Sequence, residues 1–120
     1  MAKIPSHRDL IVWQKAMDMV MQIYHLANCF PPAEMYRLTN QITRAAVSVP
    51  ANIAEGHARS TLKDYAHFLV IAKGSLMETE TFLMLAVRLG YLDTAQAEPT
   101  LDLITEISKM LTVLRSKLLK

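Results

Sequence analysis

Glycine is scarce in this sequence, with three in 120 residues, and neither Asn-Gly nor Asp-Gly occurs. No stretch sustains an alternation of apolar and polar residues. Together these absences exclude an architecture built from β-hairpins. The single cysteine, Cys29, cannot form an internal disulfide and fits a reducing compartment. Charge of one sign is also lacking: 13 Lys and Arg face 11 Asp and Glu, for a formal net of +2. That surplus is too small to announce a nucleic-acid binder by itself. No segment approaches the roughly 18 apolar residues of a membrane span. The opening MAKIPSHRDL has no apolar core of a signal peptide. A soluble, cytoplasmic protein is expected. With 52% of its residues hydrophobic, residues 1–120 suffice for a single domain that buries about two-thirds of its unfolded surface.

What the chain does have is helical periodicity. Between Arg37 and Arg59, Leu38, Ile42, Ala45, Val49 and Ile53 form an apolar stripe. Arg37, Gln41, Arg44, Ser48, Asn52, Glu55 and Arg59 form a polar one beside it. Pro50 falls in the middle, where it removes a backbone hydrogen bond at a cost of about 3 kcal/mol. Both stripes nevertheless stay in phase across it. The pattern predicts one helix, kinked near Ala46–Pro50, whose small residues (among them Ala45, Ala46 and Gly56) admit a close neighbour.

The remaining elements follow from their caps. Ser6 to Asp9 has the form of a capping box, which places the start of a first helix near His7. Its predicted core stripe is Trp13, Met17, Val20, Tyr24 and Ala27, and Pro31 and Pro32 end it. Pro32 and Glu34 suit the first turn of the second helix. Thr61 to Asp64 caps a long third helix ending at Arg88 or Leu89, with Gly90 beyond it. Leu62, Leu69, Leu76 and Leu83 form its core stripe, while Ile71, Phe82, Leu85 and Leu89 project to the opposite side. Asp93 to Gln96 opens a fourth helix, with Pro99 as a kink or restart. Leu101, Ile104, Ile107, Leu111, Leu114 and Leu118 then follow at coiled-coil spacing. Short connections predict an all-α, antiparallel up-down-up-down four-helix bundle. A third helix apolar on two sides exceeds what three companions can cover in a bundle this small.

Catalytic and metal chemistry find little support. A carboxylate-bridged di-iron centre needs paired Glu-x-x-His motifs, and the nearest match is Asp64 and His67, once. The four histidines, His7, His25, His57 and His67, show no i, i+4 pairing and read as solvated or edge residues. Cys29 follows His25 by one turn, but a structural thiol packed at a helix end is the simpler reading. Ala72 to Ser75 lacks the upstream glycines of a phosphate-binding loop. Gly74 instead suits a close helix crossing or a partner's side chain, and Glu78 calls for an arginine partner. No catalytic residue, cofactor or metal is expected, so the protein is not read as an enzyme. An enzyme using Cys29, His67 or Glu78 ranks last because no two such groups share a recognisable spacing.

Trp13 to Ala16, the run from Gln41 to Gly56 with Arg59, and Ala72 to Glu78 resemble the 23S rRNA intervening-sequence protein family. The accessory variability determinant (Avd) proteins of diversity-generating retroelements share that fold. The resemblance spans Leu10 to Leu118, and its most specific part is Ser48 to Gly56. It implies non-enzymatic bundles that assemble into ring-shaped homopentamers. The motif positions carried over are Arg44, Ser48, Pro50, Asn52, Glu55, Gly56, Arg59, Gly74, Ser75 and Glu78. For the retroelement members it implies binding to a reverse transcriptase and to nucleic acid. The expected function is therefore a homo-oligomeric interaction module for RNA or a protein–RNA assembly. Its candidate phosphate contacts are Arg37, Arg44, Arg59, Lys63, Lys109, Arg115 and Lys117, and its candidate oligomer contacts are Ile71, Phe82, Leu85 and Leu89. A protein-only adaptor, such as an accessory subunit for a reverse transcriptase, is the alternative. Neither a membrane nor a small-molecule substrate is expected.

Overall fold

The computed structural model describes residues 5–120; the part of the signal-peptide reading that rests on residues 1–4 lies outside them. Four α-helices form an elongated bundle of 46 × 25 × 19 Å: α1 (Ile11–Ala27), α2 (Leu38–His57), α3 (Leu62–Arg88) and α4 (Thr94–Leu118). Single 3-10 turns, His7–Asp9 and Pro32–Glu34, precede α1 and α2. No strand occurs among the described residues. Each helix packs on its sequence neighbours, and α1 closes the bundle against α4. Paired residues give the directions. Lys15 meets Glu106 and Gln22 meets Thr100, so α1 and α4 run antiparallel. Lys73 meets Thr112, while Thr81 to Arg88 faces Thr94 to Leu101 across the α3/α4 seam.

Local chemistry sets most boundaries. Thr61 caps α3 by accepting from the Asp64 backbone N–H at 3.1 Å. The chain leaves α3 through a Schellman turn: Gly90 takes φ +80°, its N–H donates to the Val87 carbonyl, and the Tyr91 N–H reaches back to the Ala86 carbonyl, both at 3.0 Å. Only glycine enters that left-handed region cheaply. Asp93 and Gln96 complete a reciprocal capping box at the start of α4, with bonds of 2.7 and 2.9 Å. Ser6, by contrast, caps only a 3-10 turn, accepting from the Arg8 N–H at 3.2 Å. Leu10 is extended after it, and α1 begins at Ile11 rather than near His7. Pro32 and Glu34 likewise belong to their own 3-10 turn and not to α2.

The α2 stripe, Leu38, Ile42, Ala45, Val49 and Ile53, is buried throughout. The helix runs unbroken from Leu38 to His57 with Pro50 inside it. α4 likewise continues through Pro99. In α3, Leu69, Leu76 and Leu83 are buried as expected, but Leu62 is exposed in the first turn. The α1 stripe is displaced by one residue except at Ala27, which is buried as expected. Val12, Ala16, Met19, Ile23 and Leu26 face the core, Trp13 and Val20 flank it, and Met17 and Tyr24 are exposed. Both sets obey helical spacing, and contact with α2 and α4 selects between them. Two buried threonines are satisfied: Thr79 donates to the Ser75 carbonyl at 2.9 Å and Thr100 to Gln22 Oε1 at 2.7 Å. Among the described residues no helix is long and apolar enough to cross a membrane.

Candidate partner-binding surfaces

α2 and α3 approach each other closely at Gly56. A β-carbon there would stand 2.7 Å from Phe68 Cβ and 3.2 Å from the Tyr65 carbonyl oxygen. Further along the same antiparallel pair, Arg44 and Ser48 of α2 meet Ser75, Glu78 and Phe82 of α3 around a shallow groove of about 280 Å³. Residues some thirty positions apart are thus brought to one place. The polar stripe of α2 largely satisfies itself: Ser48 Oγ donates to the Arg44 carbonyl at 3.0 Å, and Asn52 Nδ2 to the Ser48 carbonyl at 2.7 Å. These bonds fall on either side of Ala46, whose carbonyl loses its usual donor to Pro50. Arg59 pairs with Glu55 at 2.9 Å and lies 4.6 Å over the Phe68 ring. Glu78, expected to hold an arginine, is exposed and makes no ion pair among the described residues, although Arg44 lines the same groove.

The outward side of α3 carries uncovered apolar surface. Ile71 is 38%, Leu85 42% and Leu89 50% exposed. Phe82 is different: it is half-buried and packed on the chain's own core. Gly74 lies among these residues with nothing within 4 Å of the position its β-carbon would take. No crossing inside the chain requires it, which corrects one of the two roles expected of it. A mid-helix glycine costs about 1 kcal/mol relative to alanine.

The seven candidate phosphate contacts are all exposed but do not form one patch. Arg37 stands at the start of α2, Arg44 lines the α2/α3 groove, and Lys109 lies two turns before Lys117 on α4. Arg59, Lys63, Arg115 and Lys117 lie at the same end of the bundle, because α2 ends, α3 begins and α4 ends there. The first 3-10 turn joins them: the rings of His7 and His57 are 6.4 Å apart. Counting Arg8 and Lys120, this end has six cations against three acids, Asp9, Glu55 and Asp64. The chain as a whole is nearly neutral, so the antiparallel arrangement itself concentrates the charge.

Two other side chains depart from expectation. His57 is 6% exposed, enclosed with His7 and edge-on to Tyr65 at 5.7 Å, and not a solvated residue. Cys29 is exposed rather than packed at the end of α1. Burial pushes the Tyr65 hydroxyl above the usual tyrosine pKa. Among the described residues no three His, Cys, Asp or Glu side chains converge as metal ligands would.

A family model described as 23S rRNA-intervening sequence protein matches residues 8–113. The chain belongs to that family. The intervening-sequence protein fold is also found in a crystal structure from Bacteroides thetaiotaomicron, described as a protein of unknown function from the S23 ribosomal protein family. The two are 28% identical and superpose with a TM-score of 0.81, over 88% of this chain and 98% of the other. A search of curated proteins finds no match. In this family member, the motif residues Arg44, Ser48, Ser75 and Glu78 are those gathered at the α2/α3 groove. Their convergence was not visible in the sequence, since only the register of α2 against α3 creates it.

Proposed function

We propose that this intervening-sequence protein is a non-enzymatic interaction module. It assembles with copies of itself through the outward side of α3 and engages RNA, or a protein–RNA assembly, through its basic end. The observation that carries the first part is that Ile71, Leu85 and Leu89, each more than a third exposed, lie along one side of α3, with unfilled space at Gly74 on the same side. Clustered apolar surface of this kind marks an interaction site. A cyclic assembly in which this face meets a different face of the next copy closes into a ring; five copies is the number the family resemblance implies. The basic end supports the second part, because phosphate contacts need clustered cations more than a large net charge.

Light scattering behind size exclusion tests the assembly. At micromolar concentration the protein is expected to run as a closed oligomer, and Leu85→Glu to reduce it to monomer with little change in melting temperature. A parent protein that stays monomeric would reject this part of the reading. For RNA, filter binding is expected to show retention at low salt that falls steeply as salt rises, and Arg115→Glu with Lys117→Glu to weaken it. No retention even at low salt would remove the RNA role. The second reading, a protein-only adaptor of the kind that serves a reverse transcriptase, is favoured by apolar side chains exposed away from α3, including Met17, Met21 and Tyr24 along α1.

A further inference from the structure

On the side of the bundle formed by α1 and α4 there is a second groove, of about 350 Å³. Its floor is the buried Val12 with the half-buried Met110 and Leu114, and its walls are Ile11 and Val113, 55% and 53% exposed. Among the described residues, the only charged side chains lining it are Lys109 and Lys117. Lys109, Val113 and Lys117 succeed one another at intervals of four on α4, so one exposed ridge alternates cation, apolar residue and cation. The nearest acid on that helix, Glu106, is occupied by Lys15 at 2.8 Å. The groove is therefore apolar in its floor, and neither of its lysines makes an ion pair among the described residues.

We propose that this groove docks an acidic amphipathic helix of a partner protein. Its apolar side chains would enter between α1 and α4, and its carboxylates would flank them against Lys109 and Lys117. The proposal does not use the α3 face, but it shares Lys117 with the basic end proposed for RNA, so the peptide titration is run without RNA. Charge complementarity selects the occupant. The two lysines are eight residues apart, about 12 Å along a helix, so carboxylates two turns apart on the partner match them. The space suits roughly two or three side chains at the i, i+3, i+4 spacing by which a helix enters a groove. Nucleic acid fits less well, because the lining offers no aromatic ring on which a base could stack. The outward face of α3 in a second copy carries Lys63, His67 and Arg88 besides Asp64 and Glu78, so its charge is mixed rather than acidic and matches this groove less well.

The test is a titration of the intact protein against two fluorescent helical peptides, read by anisotropy. Both carry leucines at i, i+3 and i+7; one has flanking glutamates and the other lysine at each of those positions. The acidic peptide is expected to bind saturably and the basic one at least about tenfold more weakly, the range over which complementary charge discriminates. Val113→Glu should abolish acidic-peptide binding, and the double variant K109E/K117E should reverse the preference towards the basic peptide. The double variant changes only exposed residues, so it keeps the test valid if Val113→Glu fails to fold, which circular dichroism reports. Equal binding of both peptides, or unchanged preference in K109E/K117E, overturns the proposal. So does a fall in the protein's own oligomer mass on Val113→Glu in a folded variant, since a second copy would then be the occupant.

Discussion

Replacing Gly56 with alanine adds one methyl group where α2 and α3 are in close approach, and the geometry fixes the sign of the effect. Alanine favours a helix over glycine by about 1 kcal/mol, so at an open position the change would stabilise. At Gly56 the new carbon would stand 2.7 Å from Phe68 Cβ, with Tyr65 atoms at 3.2 Å. Phe68 Cβ is fixed to its own helix, and one of the Tyr65 atoms is a backbone oxygen; neither can rotate away. Restoring ordinary carbon contact near 3.7 Å requires the two helices to part by roughly 1 Å. Overpacking of this kind costs about 1–3 kcal/mol, and because backbone must move the upper value applies. Subtracting the propensity gain leaves a net loss of about 2 kcal/mol, or a melting temperature lower by roughly 6–10 °C for a domain this size. Thermal unfolding by circular dichroism reads it. Gly74→Ala is the internal control: with nothing within 4 Å, it should stabilise the isolated chain by up to about 1 kcal/mol. If the face around Gly74 binds another copy, the same alanine should also shift the protein towards smaller species. A Gly56→Ala protein as stable as the parent would refute the close approach and the reasoning built on it.

Further expectations concern the caps, a buried hydrogen bond and pH. Asp93→Ala removes the acceptor of the Gln96 N–H and half of the reciprocal box, and should lower stability by about 1 kcal/mol in urea denaturation. Thr100→Val leaves Gln22 Oε1 without its 2.7 Å donor and should cost about 1 kcal/mol by the same assay. Burial raises the folded-state pKa of Tyr65 above the ordinary tyrosine value of 10.0, so the folded protein holds that proton more tightly than the unfolded one. Its contribution is complete below pH 10, and stability should fall as pH rises above that value. Tyr65→Phe should flatten this alkaline slope in melts recorded across the range; an unchanged slope would place its origin elsewhere.

Features governed by local chemistry were the legible ones. Gly90, Asp93 with Gln96, and Thr61 with Asp64 act within four residues of chain, and each does what its sequence neighbours imply. The α2 stripe was equally readable, because Arg44, Ser48 and Asn52 leave only one face for the core. α1 offered two apolar registers, Trp13–Met17–Val20–Tyr24 and Val12–Ala16–Met19–Ile23. Nothing local separates them; the docking of α2 and α4 does. His57 was misjudged for the same reason, since Tyr65 and the turn bearing His7 enclose it from distant elements. Ser6 misled because a capping residue serves a 3-10 turn as readily as an α-helix. At the α2/α3 groove the residue types were visible in advance, whereas their meeting depended on which turn of α2 lies opposite which turn of α3.

An even number of antiparallel helices returns the chain to the level at which it set out. The end of α4 consequently lies at the same end of the bundle as the turn that carries Arg8 and the Arg59–Lys63 connection. A bulky insertion near this end would shadow the cationic pole, while the loops after Ala27 and Arg88, at the far pole, would stay clear. An affinity handle or fluorophore inserted at those loops would therefore leave the proposed RNA contacts unobstructed.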